Sequence, residues 1–143
     1  MRNEQRTNGD IGESIIAEHF EDAKRSEDWY DSEKDGTRGE NKYEVKTVRL
    51  NNWSQGFWVK QSQWPKLDGV DQLFILKVPE KIEEGIQVYL CLNHKTCYES
   101  VPGRSDMRSY PIKNCKLLFT IYDERVNIVY ENSIIMSKHK RYA

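Results

Sequence analysis

The chain has no long apolar run: nothing in its 143 residues approaches the ~18 consecutive apolar residues that a membrane-spanning helix needs. Its first residues, Met1 to Arg6, carry charges with no apolar stretch behind them, so a secretory leader is not expected. Cysteine is scarce. Cys91, Cys97 and Cys115 are odd in number and lack the Cys-x-x-Cys spacing of a zinc site. Reduced thiols and a cytoplasmic location are therefore expected. His19, His94 and His139 are scattered, without a spacing that would bind zinc. There is no glycine-rich phosphate loop and no Gly-x-Ser-x-Gly nucleophile elbow. Repeats, low-complexity tracts and interdomain linkers are also lacking.

What is present is a polar chain, 37% hydrophobic and 31% charged, of a length that fits one domain with its own core. Net charge is −1, but it is distributed unevenly. Residues 1–40 hold 6 basic and 12 acidic side chains, and residues 41–143 hold 16 basic and 11 acidic. Such a split allows metal to be held at one end and phosphates to be faced by the other.

Residues 1–9 read as a frayed polar terminus. Asp10 and Glu13 have the spacing of a capping box, with Asp10 as N-cap, and Ile11, Ile15, Ile16 and Phe20 form an apolar stripe. A helix is expected to end by Lys24, with the charged segment 22–28 closing it. Strands are expected at 29–34, 43–50, 56–60, 71–78 and 86–92, followed by an irregular segment over 93–114. A hairpin over 117–122 and 125–130 and a flexible basic end at 137–143 complete the reading.

The chemistry-bearing pattern is an acidic-x-Lys triplet, which occurs three times: Asp22-Ala23-Lys24, Glu40-Asn41-Lys42 and Glu44-Val45-Lys46. The first falls in a helix end and the second in a turn, leaving only the third inside a strand. Residues two apart on a strand share a face and lie about 6.6 Å apart, so Glu44 and Lys46 are neighbours. A two-residue turn at Gly39-Glu40, with glycine first as a type II′ turn requires, pairs Arg38 with Asn41, Thr37 with Lys42 and Gly36 with Tyr43. Asp35 then faces Glu44 with Cβ atoms about 5 Å apart. Facing carboxylates repel, and a hard cation such as Mg²⁺ relieves the repulsion. The same register sets Glu33 opposite Lys46. The plain alternative is therefore a cross-strand ion pair beside an acidic pair on a solvent-facing sheet.

In this order, Gly12-Glu13 on a helix, Lys34-Asp35, then Tyr43-Glu44-Val45-Lys46-Thr47 on a strand, the residues resemble the PD-(D/E)XK nuclease superfamily, particularly its small phage and bacterial members. The likeness covers roughly residues 10–78, with Lys34 standing where the family's name has proline. It implies an α/β, restriction-endonuclease-like fold: a mixed sheet of about five or six strands flanked by helices. It further implies that Asp35 and Glu44 bind one or two Mg²⁺ ions, with Mn²⁺ able to substitute. The Val45 carbonyl and Glu13 would be further ligands, and Lys46 would orient or deprotonate the attacking water. Asp31 and Glu33 are alternative acidic partners if the turn register differs.

Residues 51–66 mix amides and lysines with tryptophans, and Asn51, Asn52, Lys60, Gln61, Gln63 and Lys66 are candidate DNA contacts. In some members of the superfamily a glutamine after the Glu-x-Lys strand joins the active site, a role open to Gln61. The expected function is Mg²⁺-dependent endonucleolytic cleavage of duplex DNA by a homodimer or higher oligomer. The alternative is a nucleic-acid-binding domain with the same fold and no chemistry.

Overall fold

A computed structural model describes residues 7–27, 33–50 and 55–142, with side chains described as far as 135. Helix α1 spans Asn8–His19. Its N-cap is Thr7, whose hydroxyl accepts from the Asp10 N–H at 3.0 Å, so the helix starts a turn earlier than the Asp10–Glu13 spacing indicates. Thr7 serves as well as Asp10 because either oxygen can satisfy an orphan N–H of the first turn. The helix also ends earlier, and the charged segment after it is not its tail. Ala23–Arg25 instead forms the edge strand β1.

Next come β2 (Gly36–Arg38), β3 (Asn41–Val48) and β4 (Gly56–Lys60). Helix α2 (Trp64–Gly69), β5 (Gln72–Lys77) and β6 (Ile86–Cys91) follow. The chain closes with β7 (Glu99–Val101), β8 (Arg104–Pro111), β9 (Cys115–Ile121) and helix α3 (Glu124–Tyr142). The expected strand at 29–34 lies mostly outside the described residues, and Glu33 and Lys34 are not in a strand. The irregular segment at 93–114 contains the β7–β8 hairpin, whose turn glycine Gly103 has φ 77°. The hairpin expected around Asp123 is instead a strand followed by a helix. Val126 and Val129 are both buried, and this near-helical spacing supports a packed helix as readily as a strand. Helix α3 also runs through the stretch read as a flexible end.

The fold is α/β. One mixed sheet has six strands in the order β1-β2-β3-β5-β6-β9, with β3 and β5 parallel. A second, antiparallel sheet has the order β4-β8-β7. Alternation along the central strands gives the large sheet two apolar faces. Tyr43, Val45, Phe74 and Leu76 pack with Ile11, Ile15 and Ile16 of α1 and with Val126 and Val129 of α3. On the opposite face Leu73 and Ile75 pack with Val59 of β4, Leu67 of α2 and Tyr110 of β8. Helix α1 lies directly on β3, since a Cβ at Gly12 would fall 1.8 Å from Thr47 Oγ1. No helix among the described residues is long and apolar enough to cross a membrane.

Candidate active site

The site begins with a turn. Gly39 has φ 58° while Glu40 does not take a positive φ, the combination that a type II′ turn needs. The register is the expected one: Arg38 pairs with Asn41, Thr37 with Lys42 and Gly36 with Tyr43. One step beyond the ladder, the Asp35 N–H donates to the Tyr43 carbonyl at 2.9 Å and the Asp35 carbonyl accepts from the Ser26 N–H at 2.9 Å. The Asp35 carboxylate then turns onto β3, where Oδ2 accepts from the Val45 N–H at 2.7 Å. Both backbone groups and one carboxylate oxygen are thereby fixed, which fixes the direction of the other oxygen. The N–H and C=O of one residue in a strand point to the same edge. The Val45 carbonyl therefore faces this same opening beyond the end of β2.

Glu44 and Lys46 share a face, in register with Leu73 and Ile75 of β5. That face is apolar core, so the reading of a water-facing acidic pair fails: Glu44 is 2% exposed. Lys46 Nζ lies 3.1 Å from Glu44 Oε2 and donates to Gln63 Oε1 at 2.6 Å. Lys66, from the first turn of α2, brings its ammonium 3.3 Å from Asp35 Oδ1 and 3.2 Å from Glu44 Oε1. The contact with Glu44 is electrostatic only, because Oε1 is buried and has no hydrogen-bond partner. Leaving a buried carboxylate oxygen without a hydrogen bond costs stability. Asp35, Glu44 and the Val45 carbonyl could supply oxygen donors of the kind that Mg²⁺ and Mn²⁺ prefer.

Glu13 is nearby but otherwise engaged. Arg25 of β1 holds it at 3.1 Å and reaches Asp10 at 2.9 Å. Burial and the Asp35 charge raise the pKa of Glu13, with Arg25 opposing them. A cavity of ≈ 250 Å³ lies between Glu13, Arg25, Lys34 and Asp35. Glu13 does not complete a three-acid cluster with Asp35 and Glu44. Among the described residues no three His, Cys, Asp or Glu side chains are grouped so as to hold a metal. Glu13 is instead paired with Arg25 of β1, a strand that lies within the charged segment expected to close the helix. Glu33 is not opposite Lys46 either; its carboxylate lies 3.8 Å from Lys42.

Of the candidate DNA contacts, Asn51 and Asn52, like the alternative acid Asp31, lie outside the described residues. Lys60 and Gln61 are exposed. Gln63 and Lys66 instead touch the Asp35–Glu44–Lys46 group, where Gln63 rather than Gln61 accepts from Lys46. A 3₁₀ turn at Gln61–Gln63 leads straight into α2 and turns Gln63 back over the sheet. The Gln-Trp-Pro-Lys run at 63–66, with proline in the first turn of a helix, is the signal that marks this return.

The electrostatics of Glu44 have a measurable consequence. Burial first, and the Asp35 charge second, push its pKa from 4.5 up to about 7, against the opposing pull of Lys46 and Lys66. A carboxyl with a higher pKa folded than unfolded favours folding while it is protonated. Its contribution is whole below pH 4.5 and is lost as pH rises through about 7. With divalent metal chelated, the protein is expected to lose stability across this window, by at most roughly 1.4 kcal/mol per pH unit. Glu44→Gln should flatten that part of the profile. Parallel pH–Tm curves for the two proteins would show that Glu44 carries no such cost.

No protein-family model, curated protein or solved structure matches this chain.

Proposed function

We propose that the chain is a Mg²⁺-dependent endodeoxyribonuclease of the PD-(D/E)XK type, with Asp35, Glu44 and Lys46 as its catalytic group. The observation that carries this reading is Glu44: a carboxylate 2% exposed, with one oxygen lacking a hydrogen bond, on a strand face otherwise given to apolar core. A buried carboxylate in such a setting is costly; Lys46 at 3.1 Å and Lys66 at 3.2 Å offset part of that cost, and a metal ion would offset more.

Asp35 Oδ1, Glu44 Oε1 and the Val45 carbonyl would hold the ion. Bound there, the metal polarises a phosphodiester and lowers the pKa of a water. The chain's own residues do the rest. The Val45 N–H fixes the Asp35 carboxylate. Gln63 and Glu44 hold the Lys46 ammonium between them, where it can donate to an attacking water and to the phosphoryl oxygens as charge builds on them. Arg25 is placed to set the charge and position of Glu13 at the margin of the site. The amide and lysine side chains around 60–66 supply duplex contacts, and two copies of the chain would provide one cut for each strand.

A nucleic-acid-binding domain without chemistry is the second reading, and one observation favours it: the Lys46 and Lys66 ammonium groups together already balance the two carboxylates. One experiment separates the two. Closed circular duplex DNA is incubated with Mg²⁺ or with chelator, and the ends are mapped. Metal-dependent nicking or linearisation is expected, and circles have no ends for an exonuclease to use. Binding of the circles without cleavage at any Mg²⁺ or Mn²⁺ concentration would leave the second reading standing.

A further inference from the structure

Lys66 is more than a contact for DNA. Its ammonium lies 3.3 Å from Asp35 Oδ1 and 3.2 Å from Glu44 Oε1, between the two carboxylates that would hold a metal ion. Its side chain is only 26% exposed, so it reaches inward to do this. Lysine is four methylenes long, and Lys66 stands at the start of a helix of six residues, a short anchor from which to swing outward.

Charge counting shows what that position does. With both carboxyls ionised, as metal binding would require, Asp35 and Glu44 contribute two negative charges and Lys46 and Lys66 two positive ones, so these four side chains sum to zero. A divalent cation added with Lys66 in place would meet like charge within a few ångströms, and the attraction that draws it in would be largely cancelled. If the ammonium swings out, the metal takes its seat and the group carries one net positive charge, which a phosphodiester neutralises. The departing ammonium is then free to bind that phosphate.

Resting on the nuclease reading above, the geometry points to Lys66 as a built-in counterion that occupies the metal seat until divalent metal displaces it, and that then moves onto the DNA phosphate. It is a positioning residue and a gate: it keeps buried Glu44 compensated in the free protein and makes divalent metal compete with an internal ammonium for the site.

Metal binding tests this without any cleavage assay. Mn²⁺ is titrated into the full chain without DNA and followed by electron paramagnetic resonance or calorimetry. Lys66→Met is expected to bind Mn²⁺ about tenfold or more tightly than wild type, because a competing like charge is removed. Lys66→Arg, which keeps the charge, should not gain affinity. Without metal, Lys66→Met should melt below wild type, and Mn²⁺ should raise its Tm by more than it raises that of wild type. A structural lysine would show the first of these stability effects without the second.

A readout on the unaltered protein covers the case in which Lys66→Met does not fold. Lys66 is labelled with an amine-acylating reagent and quantified by mass spectrometry, and its labelling should rise as Mn²⁺ saturates. Equal Mn²⁺ affinity in wild type and Lys66→Met, or labelling that ignores Mn²⁺, would overturn the gate. Glu44→Gln tells that failure from a failure of the site itself. If Glu44→Gln abolishes Mn²⁺ binding while Lys66→Met changes nothing, the metal site stands and the gate falls. If Glu44→Gln leaves Mn²⁺ binding intact, both fall.

Discussion

Lys46→Ala is expected to lower Mg²⁺-dependent cleavage of circular duplex DNA by roughly 10³-fold, about 4 kcal/mol of transition-state stabilisation. The size follows from where the ammonium sits. It is 19% exposed, held 3.1 Å from Glu44 Oε2 and 2.6 Å from Gln63 Oε1. A donor fixed in a water-poor site needs no reorganisation when charge develops, and for that reason is worth more than the same group in water. Folding should survive the change, because Glu44 retains the Lys66 ammonium at 3.2 Å. Asp35 needs a subtler pair of variants. Asp35→Ala removes the charge and also the acceptor that serves the Val45 N–H at 2.7 Å. It should therefore cost both activity and stability. Asp35→Asn keeps an acceptor for the Val45 N–H but turns an amide NH₂ toward the Lys66 ammonium in place of Oδ1, so it should melt between wild type and Asp35→Ala while cleaving no better than Asp35→Ala. Full cleavage by both Lys46→Ala and Asp35→Ala would remove the catalytic assignment. Equal melting of Asp35→Asn and Asp35→Ala would remove the account of how Asp35 is held.

The hairpin that builds this site was readable from the sequence because its determinants are local. Gly39-Glu40 fixes the turn, the turn fixes the register, and the period of two along a strand puts Glu44 beside Lys46. What the sequence did not reveal depends on partners distant in the chain. The burial of Glu44 comes from its alignment with Leu73 in a parallel pair, and parallel pairs carry no local turn to announce them. Arg25 reaches Glu13 only because Ala23–Arg25 adds to the sheet edge beside β2, and three residues with two exposed side chains have no strand period to detect. Lys66 and Gln63 fold back over β3 through a turn in the chain. Composition marks the segment around them only as a candidate for DNA contact and does not say which of its side chains point inward. The C-terminal helix was misread because Val126, Ile128 and Tyr130 alternate as a strand would, while the spacing that packs it, Val126 to Val129, is too short to decide between periods.

Gly36→Ala should be among the most destabilising single-methyl additions in the chain, at about 3 kcal/mol or roughly 10 °C in Tm. Its neighbour in the hairpin gives the contrast. Gly39 has open space around the position of a Cβ, and only its φ of 58° penalises a side chain. Gly39→Ala should therefore cost about 1 kcal/mol and leave cleavage near wild type. At Gly36 the constraint is packing. A Cβ there would lie 2.3 Å from Tyr43 Oη, 2.4 Å from Tyr43 Cζ and 2.4 Å from the Lys24 carbonyl. Tyr43 is fully buried against Phe74 and cannot retreat, and the Lys24 carbonyl belongs to the ladder that joins β1 to β2. Relief must come from parting β2 from its neighbours. Such a shift moves the next residue, Asp35, whose backbone is pinned to Ser26 on one side and Tyr43 on the other. The loss of activity should accordingly exceed the unfolded fraction at the assay temperature, because molecules that remain folded carry a displaced carboxylate. Tyr43→Phe in the same chain removes only the nearest of the three clashing atoms, so it should restore part of the Tm and little of the cleavage. If Gly36→Ala melts like Gly39→Ala, the close packing of Tyr43 under Gly36 is not what sets Asp35 opposite Glu44, and the register of the turn alone must place it.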